Sequence, residues 1–119
     1  MINVHGRESW TLFDTGARRT YIVPTVASVL TTAALSHPIR TAIGGAVQES
    51  NKAALLEAEV EGLPISTHAM VIDHIGKDDD GKQIEVLFGA LAMQQWGIRL
   101  IPEHEKLDMS HYPTVFVEF

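Results

Sequence analysis

The residues whose types could carry out chemistry begin where an apolar, β-favouring run, Trp10 to Phe13, meets the polar run Asp14-Thr15-Gly16-Ala17. An aspartate at the end of a strand can serve as a general acid or base when a second group shares its proton. The same composition also suits an ordinary turn, because Asp side chains bind nearby backbone groups and Gly tolerates turn geometry. The four residues alone therefore favour a turn, and the surrounding sequence must decide.

Metal chemistry has weaker support. The six histidines include no pair at the helical i, i+4 spacing, and His68 and His74 could share only the face of a strand. The acidic run 78–81 fails as a calcium loop, because its glycine would place the first ligand at Gly76 and the last at Leu87. The sequence therefore predicts no metal site and no cofactor.

Composition limits the class of protein. The 119 residues are 45% hydrophobic and 20% charged, which predicts one folded domain over 1–119. The net charge of −6 argues against nucleic-acid or membrane-surface partners, and without cysteine there is no thiol nucleophile or disulfide. No signal peptide or membrane-spanning run is evident, so we expect a cytoplasmic chain or a piece of a longer one.

The elements that must position Asp14 are mostly short β-strands. Apolar residues at helical spacing from Val26 to Ala33 predict a helix over Pro24 to Leu35, and Gly44-Gly45 predicts the tip of a hairpin over Ile39 to Glu49. Alternation predicts a strand rather than a helix over Ala53 to Glu61. Further segments complete the prediction: strands over 2–8, 10–13, 21–23, 65–72, 84–88, 98–101 and 114–119, a turn at 62–64, a loop over 77–82, and a helix over 90–96 that ends at Gly97.

Three segments in order, with a short fourth match after them, carry a resemblance to a known family. The run Leu12 to Ile22 resembles the active-site strand of retropepsin-like aspartic proteases, and Ile43-Gly44-Gly45 stands where that family has its flap. Val86-Leu87-Phe88-Gly89 and the helix after it resemble the segment that follows, and Gly97-Ile98 resembles the start of the last core strand. The resemblance covers about Trp10 to Ile101.

The resemblance implies a mostly β, closed barrel with two short helices, the single lobe of the acid protease fold. It implies an aspartic endopeptidase that cleaves polypeptides as a symmetric homodimer, since each chain supplies one of the two carboxylates. The implied roles are catalysis by Asp14, support of the active site by Thr15, Gly16 and Ala17, and substrate binding by the flap residues Ile43, Gly44 and Gly45 and the pocket residues Leu87 and Phe88. Phe88 could equally be a core residue of a strand, an alternative that has somewhat less support for Leu87.

The chain also departs from the viral members of the family. Arg18 replaces an acidic residue that helps to bind substrate, and Leu91 replaces a polar residue that ties the second helix to neighbouring backbone. Arg18-Arg19-Thr20 looks more like the cellular and bacterial branch. These departures leave open an alternative, a non-catalytic dimerisation or peptide-binding module of the same fold. The tail, with Val115, Val117 and Phe119 alternating, could be an interface strand or an edge strand.

Overall fold

The computed structural model describes residues 1–101 and 106–115 of the chain. Strands dominate this part of the chain, and both helices are short, as the sequence predicts. The strands are β1 (Ile2–Val4), β2 (Arg7–Ser9), β3 (Thr11–Asp14), β4 (Thr20–Ile22), β5 (Thr32–Ile43), β6 (Ala46–Val60), β7 (Leu63–Val71), β8 (Gly76–Lys77), β9 (Gln83–Ile84), β10 (Val86–Gly89), β11 (Arg99–Ile101) and β12 (Lys106–Asp108), and the helices are α1 (Pro24–Ala27) and α2 (Ala90–Gln95).

The main sheet curls into a nearly closed barrel. Its strands follow the order β2-β1-β6-β7-β4-β10-β3, with β5 pairing on the free part of β6. Strand β10 lies between β4 and β3, antiparallel to the first and parallel to the second. The register of the parallel pair sets Gly89 opposite Asp14, so the C-terminal ends of β10 and β3 lie side by side.

The core follows the alternation seen in the sequence. Along β6, Ala54, Leu56, Ala58 and Val60 are buried, whereas the residues between them face solvent. Burial of every second side chain is the pattern of a strand with one face on the core, so the strand prediction for this segment is confirmed. The β6–β7 turn lies at Glu61-Gly62, and Leu63 and Pro64 already belong to β7, slightly earlier than predicted.

The predicted helix over Pro24 to Leu35 is wrong beyond Ala27. Helix α1 ends at Ala27, and β5 begins at Thr32, which pairs with Ala54. The carbonyl of Thr31 already accepts the N–H of Leu55, so the chain is hydrogen-bonded to the sheet from this point onward. A free strand partner and two adjacent β-branched threonines outweigh the helical spacing of the apolar residues.

The predicted C-terminal strand over 114–119 falls largely outside the described residues. Its first two residues, Thr114 and Val115, lie in an exposed bend. Neither helix in the described part of the chain has the length and apolar character needed to cross a membrane.

Candidate active site

Asp14 ends β3, and its side chain is held by the turn that follows. Its Oδ1 accepts the backbone N–H of Gly16 at 2.8 Å, and its carbonyl accepts the N–H of Ala17 at 3.2 Å. We call residues 14–17 the Asp14 loop. A Cβ on Gly16 would lie 3.1 Å from the same Oδ1, so a side chain there would crowd the carboxylate. The loop thus fixes one carboxylate oxygen while the residue stays partly exposed.

The Asp14 loop is tied to the start of α2. The N–H of Ala90 donates to the carbonyl of Ala17 at 2.6 Å, and the N–H of Leu91 donates to the carbonyl of Arg18 at 3.1 Å. Both are main-chain hydrogen bonds, so they do not depend on the polar side chain that the resemblance leads one to expect at position 91. Leu91 itself is 55% exposed.

Thr20 and Gly89 support this junction, and neither was predicted as a site residue. The buried Thr20 hydroxyl accepts the N–H of Gly89 at 3.1 Å. Gly89 cannot carry a side chain here, because a Cβ would lie 2.1 Å from the carbonyl oxygen of Arg19. The only sequence signal for this contact was the glycine that closes the apolar run of β10.

The hairpin predicted around Gly44-Gly45 is present. Ile43 pairs with Ala46, which leaves the two glycines as a two-residue turn with φ of +60° and +81°. Both angles lie in the region that glycine adopts without penalty, and the pair matches the turn that suits the twist of β-hairpins. We call residues 39–49 the hairpin. Its arm is linked to the barrel where the Thr41 hydroxyl donates to Tyr21 Oη at 3.0 Å.

A cavity of about 650 Å³ lies between the Asp14 loop and the hairpin. Asp14, Gly16 and Ala17 line it on one side, and Ile43 and Gly44 line it on the other. We call it the hairpin cavity. Its volume falls in the range of ligand-binding clefts.

Some of the remaining predicted site residues line the hairpin cavity, and others lie elsewhere in the fold. Leu87 lines the hairpin cavity, whereas Phe88 is fully buried and packs on Phe13 with ring centroids 5.2 Å apart. Phe88 is thus placed as the core residue that the sequence left as an alternative. Thr15 is exposed at the tip of its loop and lines a separate cavity beside α2 and β11. Gly45 sits at the exposed tip of the hairpin, next to the lining residue Gly44.

Among residues 1–101 and 106–115, no group of three or more His, Asp or Glu side chains lies close enough to hold a metal ion.

The comparisons with known proteins bear on the fold. No protein-family model matches the sequence, and no curated protein matches it either. Among solved structures, the chain is similar to the retroviral protease-like domain of Ddi1 from Leishmania major, with a TM-score of 0.64 and 14% identity over 92% of this chain and 85% of that chain. The mostly β, retropepsin-like fold with two short helices is confirmed. Placement in the cellular and bacterial branch stays a prediction.

Proposed function

We propose that the protein is an aspartic endopeptidase in which two copies of the chain each contribute Asp14. The observation that carries this proposal is the placement of one partly exposed carboxylate, held by Gly16, on the wall of a cavity beneath a glycine-tipped hairpin. This is the arrangement that a retropepsin-like fold would use to bring a carboxylate to an extended peptide.

The chemistry follows from two close carboxylates. They cannot both ionise, so one keeps a proton and the pair titrates as a unit. The ionised carboxylate takes a proton from a water, whose oxygen forms a bond to the peptide carbonyl carbon, while the protonated carboxylate donates to the carbonyl oxygen. In the resulting tetrahedral intermediate, one carboxylic acid gives its proton to the nitrogen while the other carboxylate takes a proton from a hydroxyl on the carbon, so the carbon–nitrogen bond breaks, the amine and the new acid leave, and the pair again holds one proton.

The surface next to the Asp14 loop supports the dimer in this proposal. Leu12 and Leu100 are 42% and 37% exposed, and they border a mainly apolar cavity with Phe13 and Leu107, whose lining also includes Glu61 and Lys106. Exposed apolar side chains beside an incomplete site fit a surface that a second copy covers. Thr15, at the tip of the loop, would then lie near its own counterpart.

The hairpin supports the binding of an extended peptide. Its tip is glycine, so backbone N–H and C=O groups at Gly44 and Gly45 are free of side chains that would keep a peptide away. A strand-like substrate between the hairpin and the Asp14 loop could bind through its own main chain. Ile43 and Leu87 would offer apolar contacts to its side chains.

The test is Asp14→Asn compared with Asp79→Asn, a matched control in an exposed loop. An Asn oxygen can still accept the Gly16 N–H, so we expect circular dichroism and sedimentation of Asp14→Asn to equal those of the wild type. We expect peptide cleavage to fall by about a thousandfold or more, because the general acid–base pair is lost. Cleavage of a peptide library between pH 4 and pH 7, read by mass spectrometry, measures the loss.

Undiminished cleavage by purified Asp14→Asn would contradict the proposal. A wild type that sediments as a monomer at every concentration, with or without peptide, would contradict the dimer. Peptide binding with no cleavage by the wild type at any pH would indicate the alternative, a non-catalytic peptide-binding module.

A further inference from the structure

The walls of the hairpin cavity carry an excess of positive charge. Arg18, Arg19 and Lys77 line it, and Asp14 is the one carboxylate among its lining residues. This is the reverse of the whole chain, which has nine Lys and Arg against fifteen Asp and Glu. The local charge is therefore a property of this cavity and does not follow from the composition.

The backbone that bears the two arginines is fixed. The carbonyl of Arg18 accepts the N–H of Leu91, and the carbonyl of Arg19 lies against Gly89 so closely that no Cβ fits between them. The arginines thus project from a rigid part of the site, and their side chains remain exposed to solvent. Side chains on a fixed backbone lose less freedom when they bind a partner.

The three cations have no acidic partner within the part of the chain that the structure describes. The ion pairs found there join Arg7 to Glu85 and Asp108 to His111, both away from the cavity. A cluster of unpaired cations in a cleft raises the local concentration of anionic groups and favours their binding. The charge is available to a ligand.

We propose that the hairpin cavity selects extended peptides with acidic side chains close to the scissile bond. This inference rests on the proposed function and names its substrate class. In a symmetric dimer each half of the site contributes the same cations, so a peptide that crosses both halves meets Arg18 and Arg19 on either side of the cleaved bond. The preferred sequence therefore carries Glu or Asp on both sides of a central apolar pair.

The expected preference for Glu over Gln follows from the known strength of solvent-exposed ion pairs. Each pair contributes up to about fivefold in binding, and salt weakens it because the charges are in contact with solvent. A Glu-containing peptide should therefore be cleaved about fivefold to twentyfold faster than the same peptide with Gln, as kcat/KM at low salt. The ratio should shrink toward one in 1 M salt, where the screening length is about 3 Å.

The first experiment profiles cleavage of a tryptic proteome library by the wild type at pH 6, well above the usual Glu pKa of about 4.3. We expect Glu and Asp to be enriched near the cleaved bonds. Matched Glu and Gln versions of the best substrate are then compared in Arg18→Gln/Arg19→Gln and in Lys77→Gln, where the Glu preference should fall toward one. Lys77 is informative because it lines the hairpin cavity and not the neighbouring cavity that also includes Arg18 and Arg19.

Lys52→Gln is the matched control, since Lys52 is exposed and borders a different cavity. It removes the same charge and should keep the Glu preference. Cleavage with no acidic enrichment, or a preference that survives in Arg18→Gln/Arg19→Gln, would overturn the inference and leave the protease proposal intact.

Absence of any cleavage would count against the proposed function but would not test the preference for acidic peptides. That preference is then measured as peptide binding. The probes are two fluorescein-labelled synthetic peptide pools that place Glu or Gln on both sides of a central Phe-Leu pair. Tighter binding of the Glu pool to Asp14→Asn, measured by anisotropy and lost at high salt, supports the inference. Equal binding of both pools, or binding of neither, overturns it.

Discussion

The Asp14 loop and the hairpin face each other across one cavity, yet they are held in different ways. The Asp14 loop is fixed by hydrogen bonds from Gly89, Ala90 and Leu91 to residues of the segment that follows Asp14. The hairpin extends from the barrel with mostly exposed side chains and turns at two glycines. Its links to the rest of the fold use its side chains: the Thr41 hydroxyl donates to Tyr21 Oη, and the Gln48 side-chain amide exchanges two hydrogen bonds with the backbone of His74.

In the proposed protease, this difference in how the two regions are held would meet two separate requirements. A reacting carboxylate must be held in place, since catalysis depends on the distance to the reacting atoms. An element that covers a long peptide must move to admit it, and such elements come from the less stable parts of a fold. The predictions below test whether the structure divides stability between the two regions in this way.

The largest expected effect is that of Gly89→Ala. A Cβ at 2.1 Å from the Arg19 carbonyl oxygen requires the backbone to move, so we expect a loss of about 3 kcal/mol or more in the free energy of unfolding, or a protein that does not fold. The comparison is Gly45→Ala, where open space surrounds the Cβ and only the positive φ is unfavourable, at a cost of about 1 kcal/mol. Urea unfolding measures the free energy of unfolding of both variants. Equal losses would contradict the expectation that the Asp14 loop is held more rigidly than the hairpin.

A smaller effect is expected from Thr20→Val, which keeps the shape and removes the hydroxyl. The N–H of Gly89 would then be buried without its acceptor, which costs about 1–3 kcal/mol. In the hairpin, Thr41→Val removes a partly exposed donor, so the expected loss is under about 1 kcal/mol. Urea unfolding again measures the loss in the free energy of unfolding for both variants. A larger loss for Thr41→Val would indicate that the hairpin, and not the Asp14 loop, is the more rigidly held region.

The smallest effect concerns the loop that supports β3. The backbone N–H of Lys82 lowers the pKa of Asp78 below its usual 3.8, helped by the indole of Trp10 and the N–H of Asp80, while desolvation opposes the shift. A lowered folded-state pKa means that the ionised carboxylate stabilises the fold above pH 3.8 and that this stability is lost as the pH falls through the lower folded-state value.

Asp78→Asn should therefore lower the urea midpoint slightly at pH 6, and the difference from the wild type should shrink below pH 3.8. Asp79→Asn, in the same loop, controls for the loss of one charge. A difference that grows toward acid pH would show that Asp78 acts in another way.

The sequence predicted the features that local chemistry decides. Gly44-Gly45 marked the hairpin tip because few other residues adopt such a turn, and alternation from Ala54 to Val60 marked a strand with one buried face. The retropepsin-like fold was predicted from the resemblance of three short segments. Local signals are sufficient where the residues that cause an element to form lie within that element.

The sequence did not predict features that depend on distant parts of the chain. The helix predicted after Pro24 is too long because Thr32 pairs with β6, a strand that follows later in the sequence. The contact between Thr20 and Gly89 joins residues 69 apart, and although Gly89 closes an apolar run, nothing near either residue indicates that the two meet. The cations of the hairpin cavity likewise come together only in three dimensions, since Lys77 is far along the chain from Arg18.

The parallel pairing of β3 with β10 also has a consequence for synthesis on the ribosome. Trp10, which precedes β3, contacts Glu85 across 75 residues of chain, and Asp14 lies opposite Gly89. The hairpin needs only its own residues and can form soon after they emerge, whereas the Asp14 loop must wait for α2. A nascent chain therefore carries Asp14 on an unfinished loop until residues 89–91 have been synthesised and can make these backbone contacts.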